Sequence, residues 1–329
     1  IEKKRGNMPY LIDRSLFSKG DIEWNQGLTC MDMVSWYDPE YEHEYEESMY
    51  QNDFFSNTIV KNKTPLSGYY NRLLPVKIVL RVFAMMLFNS DEWDKKLGIT
   101  GEYAPIPLSK LRDFAWKNAS YAHDHLVIMD ENLGSERGAE ISVGFPKSEE
   151  DDPKGKSKER FVAQFVGSKR KGEVSGAIFD MGFANLAGMF GLKFENDVRF
   201  TRVGLKFALL DNPVLDSLDG WKGPERFSEV ECEVLLTHFK NNVKEEWKFM
   251  LKIADLIRNG INRSEPINEN LMKHYSWDPT KTSIMRTGVI ARMQELGLVG
   301  RERSGVEITF TLTKIGDKLL VEDYEGVSF

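Results

Sequence analysis

The chain has 329 residues, enough for two domains of ordinary size, and its 41% hydrophobic and 12% aromatic content excludes a wholly disordered protein. Lys and Arg number 44 against 51 Asp and Glu, a formal charge of −7, so any contact with nucleic acid has to be local rather than a bulk coating. Cys30 and Cys232 lie far apart without metal-ligand spacing, which implies neither a disulfide framework nor a structural zinc and fits a reducing compartment.

The chain opens on Ile1 rather than Met, as expected of a fragment or a processed form. Its first 72 residues form an acidic, aromatic segment. Residues 21–60 hold ten acids and no Lys or Arg, which leaves +3 on the remainder. Tyr37, Tyr41 and Tyr45 are spaced four apart among carboxylates, so a helix over 36–47 would carry an aromatic stripe. Such a strip suits a basic protein partner or a phosphate-mimicking cover over the chain's own DNA face. The plainer reading is a surface helix packed down by its tyrosines.

Leu73 to Phe88 is the most apolar stretch and reads as a deeply buried helix with Pro75 in its first turn; Lys77 and Arg81 make it too short and too charged to cross a bilayer. A second helix is expected over Pro107–Asn118. A third is expected over Ser175–Phe190, weakened by Gly176, Gly182 and Gly188. Between them, near 119–172, Ile141, Val143 and Phe145 alternate, as do Phe161, Ala163 and Phe165, which predicts a β-hairpin insertion. Its polar tip, Lys147–Lys158, contains no hydrophobic residue and is expected to be mobile. Residues 221–244 read as a connecting helix or linker.

The C-terminal part is the clearest. Trp247, Leu251, Ala254 and Ile257 recur at helical spacing over Glu245–Asn259 and Gly260 stops them. A shorter helix follows at Glu265–Tyr275, then a third from about Thr280 to Leu296 with Met285, Val289 and Met293 on one face and Gly297 at its end. Val299–Arg303 and Val306–Leu312 read as a hairpin around Ser304-Gly305, and a last helix is expected over Thr313–Glu322.

This order, with Leu296-Gly297-Leu298-Val299 closing the third helix and Thr309 to Gly316 opening the last, resembles the winged-helix family of helix-turn-helix proteins over roughly 245–323. A second copy follows from self-similarity: Thr201–Phe207 matches Thr313–Leu319 at an offset of 112, and Met189-Phe190-Gly191-Leu192 matches Glu295–Leu298. The expected architecture is mainly helical α+β, with tandem winged-helix domains over 73–220 and 245–329, the first carrying the hairpin insertion.

The resemblance implies that each third helix enters a major groove while each hairpin touches the backbone. In the C-terminal copy the implied DNA contacts are Lys281, Thr282, Ser283, Arg286 and Thr287 on the helix, with Arg301 and Arg303 on the hairpin. Lys273 to Arg303 carries six basic residues against three acids. In the N-terminal copy the corresponding contacts are Lys169, Arg170 and Lys171 before the helix, and Lys193 and Arg199 near the hairpin. Arg292 is set apart, because it falls at the edge of the apolar face and its stem suits the core.

His123-Asp124-His125 offers two imidazoles on one side of an extended segment, without a third metal ligand at a suitable spacing, and a surface turn is the plainer reading. No nucleophile elbow, phosphate-binding glycine loop or HExxH motif is present. Asp151 and Asp152 with Lys154 and Lys156 are the nearest approach to a metal-dependent nuclease site. The expected function is therefore non-enzymatic binding of double-stranded DNA, without cofactor or metal, as a transcription regulator or the recognition subunit of a restriction or defence system. A protein-binding scaffold is the alternative and a nuclease the second alternative. A cytoplasmic location without a membrane partner is expected, nucleoid-associated in a prokaryote and nuclear in a eukaryote.

Overall fold

The computed structural model describes residues 60, 64–88, 106–135, 139–170, 173–186, 197–216, 223, 225–305 and 307–318. The 36–47 strip, Lys171 and Lys193 lie outside the described residues. The protein is mixed α+β and mainly helical, with small antiparallel sheets.

Helix α1, Leu74–Phe88, is buried at every described position through Met86. Two of those positions are cations, tolerable in a core only when paired. Lys77 Nζ lies 2.9 Å from Glu231 and donates to the Phe207 and Leu210 carbonyls, while Arg81 grips both carboxylate oxygens of Asp216.

After β1, Ile106–Pro107, the second helix runs far past Asn118: α2 spans Leu108–Leu133. Buried Ala119, Ala122 and Leu126 continue its core-facing spacing, and Gly134 ends it in the left-handed region at φ 61°. Near its end the buried Asp130 carboxylate accepts the N–H groups of Ile141 (2.8 Å) and Ser142 (3.0 Å), which fixes the returning loop.

The hairpin expected from 141–145 and 161–165 does not form. Lys156–Phe161 is helix α3 and Val162–Val166 a π-helical turn, because Phe161, Val162, Phe165 and Val166 share one buried side rather than alternating. Nor is the polar tip loose. Ser157 donates its N–H to Asp152 and accepts that of Lys147, and Lys158 Nζ sits 3.5 Å from the Trp116 ring centroid. A smaller hairpin follows, β2 Ser168–Arg170 with β3 Glu173–Ser175.

The third helix of this half is also shorter than its sequence implies. Helix α4 is a single turn, Ala177–Asp180, and the chain leaves it at Gly182 (φ 74°) into β4, Ala184–Leu186. β5, Asp197–Phe200, completes a three-stranded sheet in the order β1-β5-β4, and α5, Arg202–Leu209, follows it. Helix α6, Glu229–Asn242, then opens on a Ser228/Glu231 capping box.

In the C-terminal half, α7 Lys244–Arg258, α8 Ser264–Tyr275 and α9 Pro279–Glu295 lead into β6 Val299–Ser304 and β7 Glu307–Leu312, and residues 314–318 are helical. β7 pairs with β6 on one side and bridges Arg263 through Thr309 on the other. The central strand is thus the last one, as in β1-β5-β4.

Both halves close with the same lock. Thr201 Oγ1 donates to the Gly182 carbonyl and accepts from Gly204 N–H; Thr313 Oγ1 donates to Gly297 and accepts from Gly316 N–H. A Cβ on Gly204 would lie 2.0 Å from the Phe183 carbonyl oxygen, and one on Gly316 the same distance from that of Leu298. The exit that matches Gly297 in this lock is Gly182, and Met189 to Leu192 lie outside the described residues.

One buried cluster runs through both halves. Residues 64–73 lie against the C-terminal half: Leu66 N–H donates to Glu246 (3.0 Å) and the Tyr70 carbonyl accepts from Arg292 (2.6 Å). Gly68 passes so close to α9 that a Cβ there would lie 2.1 Å from the Ile284 carbonyl oxygen.

Candidate nucleic-acid interface

The start of α9 is set by local chemistry. Ser276 ends α8 in the left-handed region (φ 54°), Asp278 caps α9 by accepting Lys281 N–H at 2.9 Å, and Pro279 occupies the first turn. Trp277 stacks on Tyr275 at 4.3 Å, and Lys281 Nζ lies 5.1 Å from the Trp277 ring centroid.

The structure divides the C-terminal candidates. Lys281 and Thr287 are exposed and Ser283 is half-buried, so an edge of α9 running from its first turn faces outward. Thr282 is fully buried and donates its hydroxyl to the Asp278 carbonyl at 2.8 Å, which makes it part of the cap. Arg286 is also nearly buried. Burial pulls its pKa down against the opposing Glu265 carboxylate, and Nη2 reaches Thr287 Oγ1 at 3.3 Å. Arg292 is fully enclosed beside Glu246, as the spacing of the apolar face suggested.

On the hairpin, Arg301 pairs across with Phe310 and Arg303 with Ile308, so both arginines share the face of those apolar residues. Arg301 acts electrostatically on Arg72, whose carboxylate neighbour is Glu295. Arg303 is exposed, with Nε donating to Gly305 at 3.0 Å, and Glu302 lies between the two. Arg263 and Glu307 make an exposed ion pair beside them at 3.2 Å.

In the N-terminal half, Lys169 is half-buried in β2, Arg170 also belongs to β2, and Arg199 is half-buried in β5. They do not flank a reading helix, because α4 is one turn whose Ala177, Ile178 and Phe179 are all buried.

His123 and His125 lie within α2, where a separation of two residues turns them to different sides. His123 Nδ1 contacts Asp124 at 3.2 Å, and His125 meets Tyr121 edge-on at 4.8 Å between ring centroids. Asp151 and Asp152 are engaged with Ser148 and Ser157. Among the described residues no group of three His, Cys, Asp or Glu side chains is placed to hold a metal ion, and no helix is long and apolar enough to cross a membrane.

The sequence reading missed the contribution of 64–73. Tyr69, 56% exposed, directly follows the glycine that crosses α9 at Ile284 and Gly288. Its only local signal is a glycine beside two tyrosines. Searches against protein-family models, curated proteins and solved structures found no match for this chain.

Proposed function

We propose that the chain binds double-stranded DNA non-enzymatically through its C-terminal half, as a transcription regulator or the recognition subunit of a restriction or defence assembly. The observation that carries this reading is the open edge of α9: a helix enclosed almost everywhere presents a capped first turn with Lys281 exposed, followed by the half-buried Ser283 and the exposed Thr287. A capped helix end with short polar side chains and one cation fits the major groove, where such groups reach base edges and phosphates. The helix order, the hairpin and the bridge at Arg263 support a winged-helix arrangement for this half. Resemblance of fold alone leaves the ligand open, so the weight falls on the edge itself.

In this reading Lys281 contacts phosphate, Ser283 and Thr287 read bases, and Arg303 touches the backbone. Arg286 orients Thr287, and Thr282 secures the cap. The first half supplies at most backbone contacts through Lys169 and Arg170, since α4 has no exposed face to read with. Selection from a pool of random duplexes tests the proposal. Wild-type protein should enrich a short site, Thr287→Ala should change the preferred base at one position, and Lys281→Ala should weaken all sequences together. A pool left unenriched would oppose it.

The charge balance of the hairpin favours a second reading, a protein-binding scaffold. Arg263 is matched by Glu307, and the exposed Glu302, on the opposite face of β6, adds a carboxylate beside Arg301 and Arg303. The scaffold reading expects no duplex affinity at any ionic strength.

A further inference from the structure

The outward face of α2 is self-complementary. Tyr121 (38% exposed) stands at its centre, with Ile128 (55% exposed) seven residues after it and Phe114, half-buried and packed in part against the core, seven residues before it, all on one stripe at helical spacing. Charge on the same face is polarised. Lys110 and Lys117 occupy the first half, and Asp124 and Glu131 the second, all exposed except the half-buried Lys117.

We propose that two copies of this chain pair through α2, antiparallel, about a two-fold axis at Tyr121. That operation puts Tyr121 against its own copy and Phe114 against Ile128. It also brings Lys117 beside Asp124 and Lys110 beside Glu131, each pairing occurring twice. A parallel pairing would set like charges opposite one another, so the charge pattern selects the antiparallel one. Lys117 is held at 2.9 Å from Asp113, one turn back on its own helix, an exposed pair of small value that is readily exchanged.

A 26-residue helix is about 39 Å long, and a strip about 10 Å wide along it buries on the order of 800 Å² over both copies. That lies below the range of stable specific interfaces, so the dimer is weak and transient. Exposed charge pairs make it weaker still at high salt.

Sedimentation equilibrium of the full chain without DNA tests this independently of the duplex-binding reading. A concentration-dependent dimer is expected, weakened about a hundredfold by Ile128→Glu, a surface change that leaves the thermal melt in place. Lys110→Glu with Lys117→Glu should yield monomer, as should Asp124→Lys with Glu131→Lys. Mixing those two double variants should restore a mixed dimer, which a merely structural role for the four charges would not do. A wild-type chain that stays monomeric at its solubility limit would overturn the proposal, as would a dimer indifferent to all three variants. So would double variants that stay apart when mixed, or protection of this face by residues 21–60 of the same chain.

Discussion

Arg292 on α9 and Glu246 on α7 meet without solvent exposure, Nη2 2.6 Å and Nε 2.8 Å from Oε1. The same pair holds the 64–73 segment, since Glu246 accepts Leu66 N–H and Arg292 donates to the Tyr70 carbonyl. Removing one partner strands a buried charge, so Arg292→Ala is expected to destabilise by about 3–5 kcal/mol. Replacing both, Arg292→Met with Glu246→Leu, should cost less than either single loss of charge. Urea unfolding of the single and double variants measures the difference.

The crossing of 64–73 over α9 depends on the absence of two side chains. A Cβ on Gly288 would lie 2.5 Å from the Gly68 Cα. Gly68→Ala and Gly288→Ala should each destabilise by about 1–3 kcal/mol or more, because the obstruction is backbone and cannot swing aside. Gly204→Ala and Gly316→Ala should behave alike despite lying in different halves, since each meets a carbonyl oxygen at the same distance. Thermal denaturation of the four variants provides the comparison.

The buried Lys77 and the half-buried Cys232 give alkaline stability opposite slopes. Burial pulls Lys77 down to about 8, partly resisted by Glu231, so the unfolded chain binds the extra proton between pH 8 and 10.5 and folding gains stability as pH rises there. Burial pushes the Cys232 thiol up to about 12, aided by Glu231 and Glu229, so the unfolded chain loses that proton first and stability falls above pH 9. Cys232→Ala should remove the falling contribution and steepen the rise between pH 9 and 10. In a Cys30→Ser background, Cys232 should resist alkylation at pH 8 until the protein is unfolded, as mass spectrometry would record.

The C-terminal elements were legible to within a residue or two at most boundaries because each is punctuated locally: Gly260 and Gly297 adopt positive φ, and Pro279 follows a capping Asp278. The first half hid its structure for the opposite reason. Asp130 fixes the loop at Ile141 from eleven residues away, so alternation over 141–145 reflected loop packing rather than a strand. Phe161 and Phe165 satisfied a period of two as readily as a helical turn, and burial against α1 and α2 chose the turn. At Ser175–Phe190 the helical spacing of apolar residues was overruled by Gly182, which supplies the left-handed exit after one turn. Of the candidate site, exposure of Lys281 and Thr287 followed from helix phase. Burial of Thr282 and Arg286 depended on the packing around α9, which no local pattern encodes.

Fluorescence anisotropy of a labelled duplex, titrated with the full chain across a range of salt concentrations, tests most directly whether the open edge of α9 is a DNA-reading surface. Affinity should fall linearly with salt on logarithmic axes, and Lys281→Ala should weaken binding and lower the slope by about one. An unchanged anisotropy at low salt, or a slope and affinity identical in Lys281→Ala, would contradict the assignment.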